Sequence, residues 1–157
     1  MQTRYRFEKK VTAQLQGKGL QTFLPVLTEA HRWNDRQKRV EIPLFSGYTF
    51  AQLDASSEAR KDLLRTRGVI GLVTFAGEPV PVPARQISDL QCLLSQRLPC
   101  SLHPFLKTGE RVRVRGGSLD GLEGILERKD EKRLVIAIDS IQRAVAIQIA
   151  GYELELI

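Results

Sequence analysis

The residues of this chain that could do chemistry are cations and aromatics, and no catalytic set accompanies them. The two histidines, His31 and His103, lie far apart, and neither has a cysteine or serine partner at a spacing used in nucleophilic catalysis. The sequence contains no Cys-x-x-Cys, His-Glu-x-x-His or phosphate-loop glycine pattern. Cys92 falls in an apolar helical stretch, which is typical of a small core residue. We therefore predict a binding protein that is not an enzyme and has no metal site and no cofactor.

Four aromatic residues form the first candidate binding set: Phe45, Tyr48, Phe50 and Phe75. A partly exposed face of aromatic side chains is typical of a surface that binds another protein. Tyr48 and Phe50 are two positions apart, so they share one face if this segment is a strand. The alternative is ordinary core packing, and the sequence alone leaves both interpretations open.

The cations form the second candidate set. The formal net charge is +6, and the basic residues concentrate in three stretches, Arg4 to Lys10, Arg32 to Arg39, and Arg60 to Arg67. Cations alone suffice to contact a phosphate backbone, and such binding weakens as the salt concentration rises. The alternative is a solvated basic surface, since a positive balance is weak evidence of a nucleic-acid partner by itself.

Length and composition limit the class of protein. The chain has 157 residues, of which 42% are hydrophobic and 27% charged, as in ordinary globular proteins. This length fits one medium domain, or a domain of about 100 residues with a module of about 50. No run of ~18 apolar residues occurs, so we expect no membrane span. The N-terminal residues lack an apolar signal core and the chain has two cysteines, so we expect a cytoplasmic protein.

The first part of the chain alternates helix and strand patterns. Phe7, Val11 and Leu15 repeat at the spacing of an amphipathic helix. Further helices are predicted from Ser57 to Arg65 and from Ala84 to Gln96. The segment from Glu29 to Glu41 is polar and basic, with Asn34-Asp35 as a turn, and we interpret it as an exposed hairpin or a long loop. The predicted strands are Gln21–Leu27, Tyr48–Leu53, Val69–Phe75 and Pro79–Pro83. This pattern favours an α/β sandwich with a mixed, mostly antiparallel sheet.

The last part of the chain has a different period. Residues 97–107 contain Pro99 and Pro104 and no periodicity, so they are predicted to be a linker. From residue 108 the pattern alternates with period two, as where Val112 and Val114 stand between arginines. Short strands separated by glycines and charged turns predict a small five-stranded β-barrel over residues 108–157. The predicted fold class is therefore α+β.

Five sequence blocks, taken in order, resemble the NusG family of transcription factors. Four resemble its N-terminal domain: Glu8-Lys9-Lys10-Val11, Phe23-Leu24-Pro25, Pro43-Leu44-Phe45-Ser46-Gly47-Tyr48-Thr49-Phe50 and Thr66-Arg67-Gly68-Val69. The fifth resembles a KOW motif, an SH3-like barrel: Gly109-Glu110-Arg111-Val112-Arg113-Val114, then Gly117, Leu119 and Gly121-Leu122-Glu123-Gly124. The resemblance covers almost the whole chain, whereas a KOW-like barrel alone also occurs in ribosomal proteins. It implies an N-terminal domain of residues 1–96, a linker of residues 97–107 and a KOW domain of residues 108–157.

The resemblance implies a function in transcription elongation or antitermination. NusG-like proteins bind the clamp of RNA polymerase through an apolar face of the N-terminal domain and suppress pausing. Carried over by position, that face would consist of Phe45, Tyr48, Phe50, Val69, Leu72 and Phe75. Specialised relatives also touch the non-template DNA strand, and the matching positions here are Arg4, Thr66 and Arg67. The basic stretch from His31 to Arg39 would approach upstream DNA.

Departures from the family pattern favour a specialised paralogue of the RfaH-like or UpxY-like kind. The family begins with an aromatic-rich strand, and this sequence starts after it. Ser46 replaces the usual proline before Gly47. The segment Ser140-Ile141-Gln142-Arg143-Ala144 is shorter than the housekeeping loop that contacts Rho or a ribosomal protein and lacks its Phe-Gly, so both partners are uncertain for this barrel. Two other hypotheses stay open, an RNA-binding KOW protein of ribosomal type and an enzyme of unrecognised type. We expect a monomer.

Overall fold

The computed structural model describes residues 1–33, 36–54, 57–96, 98, 100–103, 109–127 and 133–157, and for residues 30–33, 36–38 and 57 it describes the backbone alone. The chain divides into two compact units, Met1–Val80 and Pro81–Ile157. None of the helices in the described ranges is both long and apolar enough to cross a bilayer.

In its described residues the first unit has two helices and eight strands, six of them only two or three residues long. In chain order these are β1 (Gln2–Thr3), α1 (Glu8–Gly17), β2 (Thr22–Phe23), β3 (Val26–Trp33), β4 (Arg36–Pro43), β5 (Phe50–Ala51), α2 (Ser57–Leu64), β6 (Val69–Gly71), β7 (Thr74–Phe75) and β8 (Glu78–Pro79). The strands pair antiparallel, β1 with β6, β2 with β5, β3 with β4, and β7 with β8. The polar segment predicted as a hairpin or loop is the β3–β4 hairpin, while its predicted turn lies outside the described residues.

The core of the first unit follows the helical spacing predicted for α1. Val11 and Leu15 are fully buried together with Leu63 of α2. Residues i and i+4 of a helix lie on the same face, so one side of α1 contacts this core while its lysines lie in solvent. Val69 and Leu72 pack against the same cluster from the β6 side. Burial of this apolar face therefore places α1, α2 and β6 around one centre.

A buried carboxylate joins α1 to the turn before β5. Glu8 is only 2% exposed, and its Oε1 accepts a hydrogen bond of 2.7 Å from the Gly47 N–H. Gly47 has φ of +81°, which an L-residue side chain disfavours. One turn further along α1, the Thr12 hydroxyl donates to the Glu8 carbonyl at 2.8 Å and lies 3.2 Å from the Thr49 hydroxyl. These bonds fix the segment that carries Phe45 and Tyr48 against the helix.

The second unit contains one helix and six strands. These are α3 (Ala84–Ser95), β9 (Cys100–His103), β10 (Glu110–Arg115), β11 (Glu123–Leu126), β12 (Arg133–Ile138), β13 (Arg143–Gln148) and β14 (Glu153–Leu156). All six strands lie in one antiparallel sheet of order β14-β10-β11-β12-β13-β9. The five predicted strands of the barrel are β10 to β14, and the predicted α+β fold is confirmed. Part of the segment predicted as a linker adds a sixth strand, β9.

Strand β10 of the barrel alternates buried and outward residues, whereas β13 is buried at four consecutive positions, Ala144 to Ile147. Val112 and Val114 of β10 are buried, as predicted from period two, while Arg111 and Arg115 are exposed. Gly124 of β11 allows the strand to approach β12 closely, because a Cβ there would lie 2.6 Å from the Val135 carbonyl oxygen. Close backbone approach is a common reason for glycine within a strand. The KOW-like glycine therefore has a packing role in this fold.

The compact units divide before α3, whereas the sequence pattern predicts a domain boundary after it at residue 96. Arg85 of α3 forms an ion pair of 2.7 Å with Glu123 of β11, and its guanidinium also donates to the Gly121 carbonyl at 3.2 Å. The Cys92 thiol lies 3.8 Å from the Ser118 carbonyl oxygen. Helix α3 thus belongs to the second unit by contact, and the predicted division into domains of 1–96 and 108–157 stays a prediction.

A carboxylate of α3 lies beside the apolar surface of the barrel. Asp89 lines a concavity together with Val135 and Ala137 of β12. Burial there raises the pKa of Asp89 above its ordinary 3.8, the nearby Arg85 opposes this rise, and Glu123 adds to it. Taking a charge partly out of water is unfavourable, so the ionised Asp89 weakens the packing of α3 on the barrel.

Replacing Glu8 with alanine is expected to destabilise the first unit by about 2 kcal/mol, because the Gly47 N–H loses a charged acceptor while staying partly buried. Urea unfolding followed by circular dichroism measures the effect. The matched control is Glu41→Ala, because Glu41 forms only an exposed ion pair with Lys9. Equal stabilities of the two variants would contradict a structural role for the Glu8 carboxylate.

Replacing Asp89 with asparagine is expected to stabilise the second unit at pH 7, by less than about 1 kcal/mol since solvent screens this partly exposed group. The folded protein holds the Asp89 proton more tightly than the unfolded chain, because its pKa is raised on folding. Wild-type stability therefore rises relative to D89N as the pH falls through the raised pKa to below 3.8. Urea unfolding of both proteins at pH 7 and at acidic pH checks this, and a constant difference would contradict it.

Candidate functional site

The predicted protein-binding residues of the first unit differ greatly in exposure. Phe45 is 1% exposed and Phe50 is 8% exposed, whereas Phe75 is 80% exposed. The Phe50 ring stacks on that of Phe23, with centroids 6.0 Å apart and planes at 26°. Tyr48 is partly buried. Phe50 is therefore a core residue, which is one of the two interpretations that the sequence left open. Phe75, by contrast, is exposed to solvent.

Val69 and Leu72 are partly buried against the α1–α2 core, and their neighbour Ile70 is 59% exposed. Strand β6 explains this division, because Thr3 of β1 pairs with Val69 and alternate residues of a strand point to opposite faces. Ile70 is not among the residues predicted from the sequence to bind polymerase, although strand alternation after Val69 indicates that its side chain faces away from the core. An isoleucine so exposed at a strand centre has no role in the core.

Phe75 stands at the end of β7, beside a turn that holds it away from the core. Ala76 has φ of +51° and Gly77 has φ of +86°, and β7 pairs with β8 through Phe75 and Glu78. A non-glycine residue in the left-handed region stores backbone strain, which often marks a functional turn. We call Ile70 and Phe75 the apolar surface pair. Both come from one stretch of chain, residues 69–79.

The predicted nucleic-acid residues lie on two adjoining loops. The Arg4 N–H donates a hydrogen bond of 2.8 Å to the Gly68 carbonyl, which brings the loop after β1 beside the loop after α2. Gly68 has φ of +101°, and a Cβ there would lie 2.7 Å from the Phe7 ring, so the close approach requires glycine. The side chains of Arg4 and Arg67 are exposed on these loops.

Thr66 lies in the same loop but is only 4% exposed. Its hydroxyl donates to the Asp62 carbonyl at 2.9 Å and accepts from the Lys18 Nζ at 2.9 Å. Lys18 also donates to the Asp62 carbonyl at 3.1 Å. The Thr66 hydroxyl is therefore used to end α2 and hold α1 against it, and a ligand at the surface would meet Arg67 first.

The same two loops carry further exposed groups that the sequence analysis did not assign to a site. Tyr5 is 66% exposed, and the Arg6 guanidinium lies 5.3 Å from the centre of its ring. Arg6 has φ of +65°, another left-handed non-glycine residue. Within the described part of the chain, none of the guanidinium groups on these loops takes part in an ion pair, and they belong to Arg4, Arg6, Arg65 and Arg67. We call this exposed, positively charged part of the first unit the basic loop surface.

The second unit offers no catalytic arrangement in its described residues. His103 Nε2 of β9 lies 2.9 Å from Glu127 Oε1, at hydrogen-bonding distance. The concavity beside α3 has no serine, cysteine or threonine in its described lining. Its polar lining residues are Arg85, Gln86, Asp89, Arg111, Glu123 and Asp139. No cluster of three or more His, Cys, Asp or Glu residues able to hold a metal ion occurs among the residues that the structure describes.

The turn between β12 and β13 is the one whose sequence departs from the family pattern. It is a short 3₁₀ turn, Asp139–Ile141, closed by Gln142 with φ of +52°. Ile141 is 5% exposed, so its side chain is used in the barrel. Gln142 and Arg143 are exposed. This tip therefore presents polar side chains, and any partner that binds it would need polar contacts.

Comparison with known proteins places the first unit within one family. A family model described as "Transcription termination factor nusG" matches residues 1–91. A curated "Transcription termination/antitermination protein NusG" from Borreliella burgdorferi is 23% identical, over 100% of this chain and 96% of that protein. A protein of the same name from Lactococcus lactis subsp. lactis is 25% identical, over 87% of this chain and 75% of its own length.

The fold has a counterpart among solved structures. A structure titled "Domain interaction in Thermotoga maritima NusG" superposes with a TM-score of 0.51 at 20% identity, and the match covers 99% of this chain and 94% of that one. At this identity the likeness bears on the fold. It agrees with an α+β first unit followed by a small barrel.

Proposed function

The chain belongs to the NusG family of transcription factors, and from that premise we propose that it binds RNA polymerase through the first unit and promotes processive elongation. Members of this family are transcription factors that interact with RNA polymerase and its machinery and are not enzymes. The finer proposal is an antitermination factor of the specialised RfaH-like or UpxY-like kind, acting at particular operons in the cytoplasm as a monomer. We propose that the protein needs no cofactor.

The apolar surface pair is the observation that carries polymerase binding. Ile70 and Phe75 are 59% and 80% exposed, and both are large apolar side chains on a unit whose core is otherwise well buried. Aromatic and aliphatic anchors of this kind account for most of the binding energy at protein interfaces. We propose that they contact the polymerase clamp, with Tyr48 at the margin and with Phe45, Phe50, Val69 and Leu72 supporting the surface from beneath.

The basic loop surface supports a second contact, with the non-template DNA strand. Arg4 and Arg67 provide exposed guanidinium groups that can pair with phosphate or stack on an unpaired base. In this proposal Thr66 shapes the loop through its buried hydroxyl and does not itself touch DNA. The β3–β4 hairpin would face upstream DNA, on the strength of its basic sequence.

The barrel is proposed to recruit a further factor. Because the β12–β13 turn departs from the family pattern, we name neither Rho nor a ribosomal protein as its partner. The runner-up function is an RNA-binding KOW protein of ribosomal type. Two strand arginines argue against that reading: Arg113 pairs with Glu123, donating from its Nε at 2.8 Å, and Arg115 pairs with Glu155, donating from its Nε at 2.7 Å. RNA binding by the barrel without polymerase binding would favour the runner-up.

Replacing both members of the apolar surface pair with aspartate is expected to weaken binding to core RNA polymerase by about a hundredfold, since each anchor contributes roughly 1–2 kcal/mol. Affinity is measured by biolayer interferometry with immobilised core enzyme, after circular dichroism has shown the variant to be folded. The matched control is Leu156→Asp, because Leu156 is equally apolar and 71% exposed but lies in the second unit. Wild-type affinity of the I70D/F75D protein would overturn the proposed surface.

Phe45→Ala is less informative, because truncating a buried phenylalanine itself destabilises the fold by about 3–5 kcal/mol.

Replacing Arg4 and Arg67 with alanine is expected to weaken binding to a single-stranded oligodeoxynucleotide and to flatten its salt dependence. Each lost phosphate contact lowers the slope of log K against log salt by about 0.7 for a single strand. Fluorescence anisotropy over a series of salt concentrations gives both quantities. Arg111→Ala serves as the control, because Arg111 is an exposed arginine of the barrel. An unchanged slope in the R4A/R67A protein would show that the basic loop surface does not contact DNA.

A further inference from the structure

Tyr5 lies at the tip of a tight turn on the basic loop surface. The Phe7 N–H donates a hydrogen bond of 3.0 Å to the Arg4 carbonyl, so Tyr5 and Arg6 are the two central residues of a β-turn. Arg6 has φ of +65°, and a positive φ at the second central position is usual for glycine. The turn therefore keeps an arginine side chain at the cost of backbone strain.

The turn is fixed to the rest of the first unit at both ends. Before it, the Arg4 N–H donates to the Gly68 carbonyl at 2.8 Å, and Thr3 pairs with Val69 of β6. After it, Phe7 packs against the α1–α2 core. A side chain on such a turn loses little backbone freedom when a ligand binds, which lowers the entropic cost of binding.

The Tyr5 ring is accessible and is oriented by its neighbour. It is 66% exposed, so it has no role in the core. The Arg6 guanidinium lies over the ring, 5.3 Å from its centre. A cation over an aromatic ring is attracted to the π-electrons, which favours one orientation of the ring. The exposure of the ring leaves room for a second flat group to stack on it.

The charges around Tyr5 favour an anionic ligand. Residues 4–7 and 65–68 include four arginines and no carboxylate. Glu8 follows the first loop, but it is 2% exposed and its carboxylate accepts a hydrogen bond from the Gly47 N–H. Exposed cations around an accessible aromatic ring are typical of proteins that bind single strands, in which cations follow the phosphates and bases stack on rings.

We propose that Tyr5 is a stacking platform for one unpaired base of the non-template DNA strand, and that Arg6 is a positioning residue that holds the ring. Arg4 and Arg67 pair with the phosphates of the same strand. The inference rests on the DNA contact proposed above and adds a base contact to it. Every base has a π-face, so the ring adds affinity without selecting a sequence.

A strand without bases separates stacking from charge. The probe is an oligothymidine of about twelve nucleotides, compared by fluorescence anisotropy with a strand of the same length in which every base is replaced by an abasic site. Both strands carry the same phosphates. The full wild-type chain is expected to bind the thymidine strand about tenfold more tightly than the abasic strand. Tyr5→Ala is expected to lose this preference and to bind the abasic strand as the wild type does.

Conservative variants distinguish the ring from its volume and its charge. Tyr5→Phe keeps the π-face and is expected to keep the preference for the thymidine strand, whereas Tyr5→Leu keeps an apolar side chain and is expected to lose it. The dependence of affinity on salt is expected to be unchanged in Y5A, because Tyr5 carries no charge.

Arg6→Gly tests the positioning role. Glycine adopts the left-handed region without strain, so R6G is expected to unfold at a higher urea concentration than the wild type. It is nevertheless expected to show a smaller preference for the thymidine strand, because the ring loses the cation that orients it. A wild-type preference in R6G would overturn the role of Arg6.

The stacking inference and the DNA contact fail in different ways. If R4A/R67A flattens the salt dependence while Y5A keeps the wild-type preference for the thymidine strand, base stacking is overturned and the DNA contact stands. If R4A/R67A leaves the salt dependence unchanged, the DNA contact fails, and the stacking inference that rests on it fails too. Tighter binding of a uridine RNA strand of the same length would also overturn the proposal, because the ligand would then be RNA.

Discussion

The hydrogen bond from the Gly47 N–H to the buried Glu8 carboxylate is the contact on which the candidate surface of the first unit depends. Strands of two or three residues cannot hold a sheet by their ladders alone, and most strands here are that short. The carboxylate supplies a fixed acceptor where the chain turns through the left-handed Gly47, and Thr12 and Thr49 extend the contact along α1. Because these bonds join helix to turn, Phe45 and Tyr48 hold fixed positions relative to the core. The Gly47 carbonyl also accepts a hydrogen bond of 2.8 Å from the Thr3 N–H, and Thr3 pairs with Val69, which connects the turn to the strand that carries Ile70. The Glu-Lys-Lys block of the sequence is thus a structural device, with only its first residue buried.

The second unit obtains its stability differently, and this bears on what it can bind. Its strands have four to six residues and most of their central side chains are buried, so no single hydrogen bond is decisive. The outward arginines of β10 look like a nucleic-acid surface in the sequence, yet Arg113 and Arg115 are matched by Glu123 and Glu155 on the flanking strands. Paired charges at a sheet surface leave little field for a phosphate backbone. Among the described residues, four arginines without an ion pair lie on the two loops of the first unit: Arg4, Arg6, Arg65 and Arg67.

What could be predicted from the sequence is what depends on local periodicity. The helix spacing of Val11 and Leu15 and the alternation of Val112 and Val114 both repeat within a few residues, so a short window was enough to assign them. The burial of Phe45 and the hydrogen bond that the Thr66 hydroxyl accepts from Lys18 depend on residues distant in the chain. Neither can be predicted from the residue being aromatic or polar. Strand β9 had no periodicity of its own and follows a proline, because its pairing is imposed by the exposed backbone of β13. The packing of α3 on the barrel could not be predicted from local sequence either, because the apolar face of this helix could cover either unit.

The exposed apolar residues follow from these constraints. A side chain that the core requires is buried, as with Phe50 stacked on Phe23, and changing it alters the fold before it alters binding. Ile70, Phe75 and Leu102 are exposed although alternation in strands would place polar residues there at no cost to the core. Exposed apolar groups on short, weakly paired strands invite association, so their presence needs a function that outweighs the risk. Ile70 and Phe75 come from one stretch of the first unit and are already exposed, as the polymerase-binding surface that we propose requires.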